Sequence, residues 1–258
     1  MYPKLIHIYG PLFIQSYGLC IAIGLALYAW LLFNDAKRKR LVTDDQFHTL
    51  FLTGVISALL GGRILYFLTE EPLDSFSSFF EVWLGGFAVL GSILGVMLVL
   101  PYFLKRYNIP TLSFLDRVSL YVPLFHSISR IGCFLAGCCC GKATMVSWAI
   151  TYTNPDCCAP LYIGLHPTQL YSTFSLLLIF LFLCSMQRMV KKEGQLFLLY
   201  LSCMSFERFF NDFFRAEHSF FFRNIPLSIH QYITLAIFMV STTFLLIRSR
   251  KAIGAHGL

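Results

Sequence analysis

The chain has 258 residues, 57% of them hydrophobic and only 13% charged, with a mean hydropathy of +0.69. Soluble domains hold about 45–50% apolar and about 25% charged residues, so this composition excludes an ordinary globular enzyme and any disordered or fibrous class. A net charge of +7 would suit nucleic acid, but the Lys and Arg residues fall in short clusters between apolar stretches, as in a chain sewn through a bilayer.

The expected fold is an all-α integral membrane protein, a single polytopic domain over 1–258 with about seven transmembrane helices. A span needs roughly 20 mostly apolar residues, and candidates run near 12–33, 47–68, 84–104, 118–136, 168–186, 195–213 and 232–247. The fourth and sixth carry polar residues. The first is too long for a signal-peptide core and has no small-residue cleavage site, so it is expected to be retained.

Basic residues set the orientation. One set of connections holds Lys37, Arg38, Lys39, Arg40, Lys105, Arg106, Arg188, Lys191 and Lys192, and the tail adds Arg248, Arg250 and Lys251. The other side holds only Lys4, Lys142, Arg215 and Arg223. Twelve against four places the N-terminus outside and the C-terminus in the cytoplasm, with the acidic loop of Glu70, Glu71, Asp74 and Glu81 outside.

An Arg at the centre of a span costs about 2.5–3.5 kcal/mol and usually marks function. Arg63, Arg130 and Arg208 each lie late in an outward-running span, which puts three guanidiniums at one depth near the outer interface, level with Tyr17 and Gly18. A guanidinium fork makes two parallel hydrogen bonds to a phosphate, so the pattern predicts a site for an anionic phospholipid. The alternative is that each Arg merely snorkels or pairs, for instance with Glu207 or Asp212. Gly54, Ala58 and Gly62 share one helix face, and Gly91 and Gly95 another, a spacing that permits close helix packing.

At the fourth span the chain reads Ser129-Arg130-Ile131-Gly132-Cys133-Phe134-Leu135-Ala136-Gly137-Cys138-Cys139-Cys140-Gly141. This resembles the signature of the prolipoprotein diacylglyceryl transferases, Gly-Arg-x-Gly-Asn-x3-Gly-x3-Gly. Tyr17-Gly18, Gly61-Gly62-Arg63-Ile64 with Tyr66, Gly85-Gly86 with Gly91 and Gly95, His166-Pro167-Thr168-Gln169-Leu170-Tyr171, and Arg208, Asp212 and Arg215 resemble further family motifs in the same order. The resemblance implies an enzyme of the cytoplasmic (inner) membrane with seven spans and an outside N-terminus. It would move diacylglyceryl from phosphatidylglycerol to the cysteine thiol of a lipoprotein precursor, without a cofactor. On that reading Arg130 and Arg208 hold the phosphate, and Tyr17, Arg63, Cys133, Gly141, Gln169, Tyr171, Asp212 and Arg215 contact substrate.

The chain also departs from the family's pattern. Leu90 stands where the family has a His, Cys133 where it has Asn, Cys138 where many members have Glu, Ser172 where a Glu follows the Tyr, and Ser129 at the first signature Gly. His126, one turn before Arg130, and His166 are the candidate proton acceptors in place of the missing His. Cys138, Cys139, Cys140, Cys157 and Cys158 share one outer segment and admit three readings: disulfide staples, a reactive thiol beside Arg130 and Lys142, or a metal site. Adjacent cysteines are not the usual zinc spacing, and no metal is expected. Alternative functions are a divergent transferase with another acceptor, cysteine-based acyl transfer through Cys138, or a membrane thiol–disulfide oxidoreductase.

Overall fold

The computed structural model describes residues 1–9, 12–69, 79, 86–216 and 227–253. The acidic loop residues Glu70, Glu71, Asp74 and Glu81, as well as Leu84, Gly85 and Arg223, lie outside the described residues. The chain begins with an antiparallel hairpin, β1 (Lys4–Tyr9) and β2 (Leu12–Gln15), before α1 (Ser16–Asn34). The first long helix therefore starts at Ser16 and not at 12: a four-residue apolar run such as Leu12–Gln15 reads equally well as strand or helix from sequence. Ser16 closes the hairpin onto the helix by donating its N and Oγ to Pro3 O at 2.9 and 3.3 Å. A second small hairpin, β3 (Ile150–Thr151) and β4 (Gly164–Leu165), follows α5, so the fold is mostly helical rather than purely α.

The remaining helices are α2 (Ala36–Leu41), α3 (Asp44–Thr69), α4 (Val89–Arg106), α5 (Thr111–Ala136), α6 (Thr168–Met186), α7 (Gln195–Asp212) and α8 (Ile229–Ile253). Among the described residues, six helices are long and apolar enough to cross a membrane: α1, α3, α4, α5, α6 and α8. The 18-residue α7 falls short because Gln195, Glu207, Arg208, Asn211 and Asp212 dilute its hydropathy.

Two compact units are formed, Met1–Leu32 with Leu115–Leu258, and Phe33–Phe114. In the second, the backbones of α3 and α4 touch. A Cβ on Gly61 would lie 2.4 Å from Gly91 O, one on Gly91 2.2 Å from Gly61 O, and one on Gly95 2.3 Å from Ser57 O. The α3 side of this crossing is Ser57 and Gly61, with Gly62 against Ser92, whereas Gly54 has open space around its Cβ position. Gly91→Ala is therefore expected to cost about 1–3 kcal/mol by forcing the backbones apart, with Gly54→Ala neutral. Thermal melts of the two variants in detergent check this, and equal melts would remove the crossing from the account.

The same unit buries two arginines. Arg63, 6% exposed, donates from Nε to Phe79 O at 3.0 Å and from Nη1 to Gly86 O at 2.9 Å, and its guanidinium lies over the Phe67 and Phe87 rings at 5.0 and 5.6 Å. Arg38, fully buried, pairs with Asp44 at 2.8 Å and sits 4.5 Å from the Phe47 ring centre.

In the first unit α1 lies on α5, where a Cβ at Gly24 would be 3.1 Å from Phe125. Leu120, Leu183 and Leu196 tie α5, α6 and α7 into one core, and Ser202 and Ser241 join α7 to α8 through a 2.9 Å hydrogen bond. Asp116 of α5 accepts the N–H groups of Gly194 and Phe197 at 2.6 and 2.7 Å, which caps α7 from another helix.

Candidate functional site

The site forms where α5 ends. Gly137 takes φ +76°, a conformation glycine adopts without strain. Its N–H donates to Phe134 O (3.3 Å) while Cys138 N donates to Cys133 O (3.1 Å), the paired bonds of a Schellman cap. That cap folds the chain back along the last helical turn and brings Cys138 to Cys133. Cys139 follows with φ +58°, uncommon for a residue carrying a Cβ. As a result the Sγ atoms of Cys133, Cys138 and Cys139 lie within 4.8 Å of one another. The first turn of α6 pins this arrangement: Thr168 Oγ1 donates to Cys139 O at 2.9 Å and Gln169 Nε2 to Cys138 O at 2.7 Å, from side chains that are 1% exposed.

Hydrogen bonds from Cys133 and Cys138, with Arg215 and Arg130 nearby, push the Cys139 thiol below its ordinary value. Cys138, bonded to Cys133 and Cys139, is pushed up. All nine cysteines stand as thiols, so no disulfide joins the two outer clusters. Cys157 instead backs the helix cap, its Cβ 2.9 Å from where a Cβ on Gly137 would lie. Adjacent cysteines are not the usual zinc spacing, yet the fold brings three thiols together.

Gly141, expected to contact substrate, is a crossing point of backbone. Its N–H donates to His166 O (3.0 Å), Lys142 N donates to Phe214 O (2.8 Å), and a Cβ at 141 would stand 2.6 Å from His166 O and 2.7 Å from Phe214 O. Gly141→Ala is thus expected to lower the melting temperature as well as activity. An activity loss with an unchanged melt would return Gly141 to the substrate.

The arginines of this unit gather at the same end. Arg208 lies within Coulomb range of Arg215 and Arg130, and of the carboxylates of Asp212 and Glu207. Asp212, 3% exposed, places Oδ1 3.7 Å from Arg208 Nη2 and 3.9 Å from Arg215 Nε, while Oδ2 accepts from Ser228 Oγ. Tyr17, at the start of α1, backs onto Gly132, and its phenol is within Coulomb range of Cys133, Cys138, Cys139 and Arg130. His126 is likewise within range of Arg130. The unit therefore brings together Tyr17, His126, Arg130, Cys133, Cys138, Gln169, Arg208, Asp212 and Arg215. Arg63 and Leu90 belong to the other unit, where Leu90 is 62% exposed at the start of α4.

His166 and Tyr171 face a different space. His166 Nδ1 is 3.2 Å from Tyr171 Oη, which also accepts from Trp148 Nε1 at 2.7 Å, and the His166 ring lies edge-on to Phe214. These side chains line one end of a cavity of about 950 Å³ among α6, α7 and α8, whose walls, including Leu178, Phe206, Phe210 and Phe238, are apolar. On its polar side Ser172 Oγ donates to Glu207 Oε1 at 2.7 Å, and Asn211 Nδ2 donates to Ser172 Oγ. Glu207 and Asn211 were not among the expected site residues. The available signal was Ser172 at a position where the resembling family has Glu: a carboxylate does reach that point, but from α7.

These features define a polytopic membrane protein whose site sets guanidiniums and thiols beside an apolar cavity. A model of the family described as prolipoprotein diacylglyceryl transferase matches residues 3–247. The chain belongs to the prolipoprotein diacylglyceryl transferase family. It is 34% identical over 219 residues to a phosphatidylglycerol–prolipoprotein diacylglyceryl transferase of Clostridium tetani, covering 84% of this chain and 86% of the relative. A second such protein, from Clostridium perfringens, is 34% identical over 79% of this chain and 80% of its own length, and one from Dehalococcoides mccartyi is 29% identical over 94% and 92%.

Proposed function

We infer that the protein transfers the diacylglyceryl group of phosphatidylglycerol to the cysteine thiol of a lipoprotein precursor, forming a thioether and releasing glycerol phosphate. The observation that carries this reading is the gathering of Arg130 and Arg215 near Arg208, with Asp212 between Arg208 and Arg215 and Glu207 beside Arg208. Three guanidiniums against the two carboxylates of Asp212 and Glu207 leave a net positive charge for a phosphate. Arg130 and Arg208 grip the phosphate oxygens and stabilise the negative charge that grows on the leaving glycerol phosphate. Asp212 orients Arg208 and Arg215, Tyr17 donates a hydrogen bond to the headgroup, and the cavity beside His166 and Tyr171 receives acyl chain.

The topology that fits this chemistry has seven crossings, with α7 as the sixth and its polar residues turned away from lipid. The excess of Lys and Arg on one set of connections puts the C-terminus in the cytoplasm and the N-terminus outside. The arginine site then lies at the outer face of the cytoplasmic membrane, where phosphatidylglycerol and an exported precursor meet. Incubating the purified protein with headgroup-labelled phosphatidylglycerol and a peptide bearing the precursor cysteine tests the reading. Release of labelled glycerol phosphate with a diacylglyceryl mass gain on the peptide is expected. No release with any thiol acceptor would exclude it.

A further inference from the structure

We propose that Cys133, Cys138 and Cys139 form a binding site for a soft metal ion, zinc by its chemistry, that takes the acceptor thiol as fourth ligand and activates it for transfer. The metal site stands on its own geometry, while its use in transfer rests on the function inferred above.

Spacing is the first support. Tetrahedral zinc with Zn–S bonds of about 2.3 Å separates its sulfurs by about 3.8 Å, and the three Sγ atoms already lie within 4.8 Å of one another. Small side-chain adjustments close the set. The backbone is the second. Cys139 has a left-handed φ angle although it carries a Cβ, and the carbonyls of Cys138 and Cys139 are held by Gln169 and Thr168. A cysteine that merely fills space needs none of this. Backbone strain in a residue with a Cβ persists only where its surroundings impose it, and it clusters at functional positions.

Ligand chemistry is the third. Three sulfurs with no carboxylate select zinc or cuprous ion over magnesium or calcium. Three thiolates around a divalent ion leave one negative charge, and Arg215 and Arg130 lie within Coulomb range to offset it. Three protein ligands with one open position is the pattern of a catalytic rather than a structural zinc site.

The open position offers a way to activate the acceptor thiol that needs neither the family's His nor His126 or His166. Leu90 replaces the His of the resembling family, and sulfur occupies the positions of its Asn and Glu at 133 and 138. A thiol bound to the metal loses its proton outright, so no side-chain base is required. The acceptor thiol binds as thiolate and its proton passes to solvent. A sulfur lone pair then attacks the glyceryl carbon that carries the phosphate ester. The C–S bond forms as the C–O bond breaks, and that bond's electron pair leaves on glycerol phosphate, held by Arg130 and Arg208. No group is oxidised or reduced. The thioether product is a weak neutral donor and leaves the metal.

The test uses the full chain purified in detergent, loaded with Zn²⁺ or Co²⁺ alone. About one metal ion per chain is expected, and the cobalt form is expected to show the sulfur-to-metal charge-transfer absorption of thiolate ligation. Cys138→Ser and Cys139→Ser should each weaken binding by more than about tenfold, with Cys157→Ser unchanged. A cobalt spectrum of the unaltered protein lacking thiolate absorption overturns the proposal even if the serine variants fail to fold. Stripping the metal with a chelator is expected to stop peptide modification, and zinc to restore it. Full transfer by metal-free protein overturns the metal's role while leaving the transferase reading intact. Thiolate-bound metal with no lipid turnover under any condition supports the metal site and rejects the transferase.

Discussion

Arg130→Lys is expected to lower the rate of diacylglyceryl transfer by about 10²–10³-fold, the loss found when one preorganised donor to a developing anion is removed. Lysine keeps the charge but presents a compact ammonium on a flexible stem, which cannot make the two parallel bonds of a guanidinium fork. The substitution lies on the final turns of α5, just before the Schellman cap that shapes the thiol cluster. Position 130 is only half-buried, so the helix should tolerate the new side chain. Membrane levels and melting temperature are therefore expected to match those of the unaltered protein. Turnover of labelled phosphatidylglycerol, measured beside both controls, decides the matter. A rate within a few-fold of the original would take Arg130 out of phosphate binding, and with it the main support for the site.

Asp116→Ala is expected to destabilise the fold by about 2–4 kcal/mol, because two backbone N–H groups lose a charged acceptor. Gly194 stands at the N-cap of α7 and has no side chain with which to satisfy the helix's first amides. Asp116, 7% exposed and 78 residues earlier, supplies that acceptor for Gly194 N and Phe197 N, and its charge also opposes the positive end of the α7 dipole. Since α7 carries Glu207, Arg208 and Asp212, a loosened N-terminus also misplaces the site at its other end. Asp116→Asn, which retains one acceptor oxygen, should fall between. Thermal melts of the three proteins in one detergent test the ranking, and equal melts for Ala and the original residue would show that α7 caps itself.

Much of the site was legible in the chain because charge in an apolar span is costly and therefore conspicuous. Arg130 and Arg208 could be singled out on that ground, and Asp212 and Arg215 by their place in a resembling motif; Arg208 lies within Coulomb range of the other three. Arg63 was conspicuous for the same reason, yet its described hydrogen bonds go to carbonyls of its own unit. Burial cost marks an Arg that must be satisfied; it does not say by what. Gly141 shows the same limit, since a glycine in a motif looks alike whether it admits a ligand or another backbone.

The chain by itself determined the membrane class, the long helices and the end of α5, because hydropathy and glycine conformation are local properties that each segment carries alone. The tertiary structure decided which partners those segments meet: Glu207 supplying the carboxylate that Ser172 lacks, Asp116 capping a helix distant in sequence, and three cysteines drawn within reach of one ion. Such contacts depend on where two separately formed elements pack, and no spacing along the chain encodes that distance.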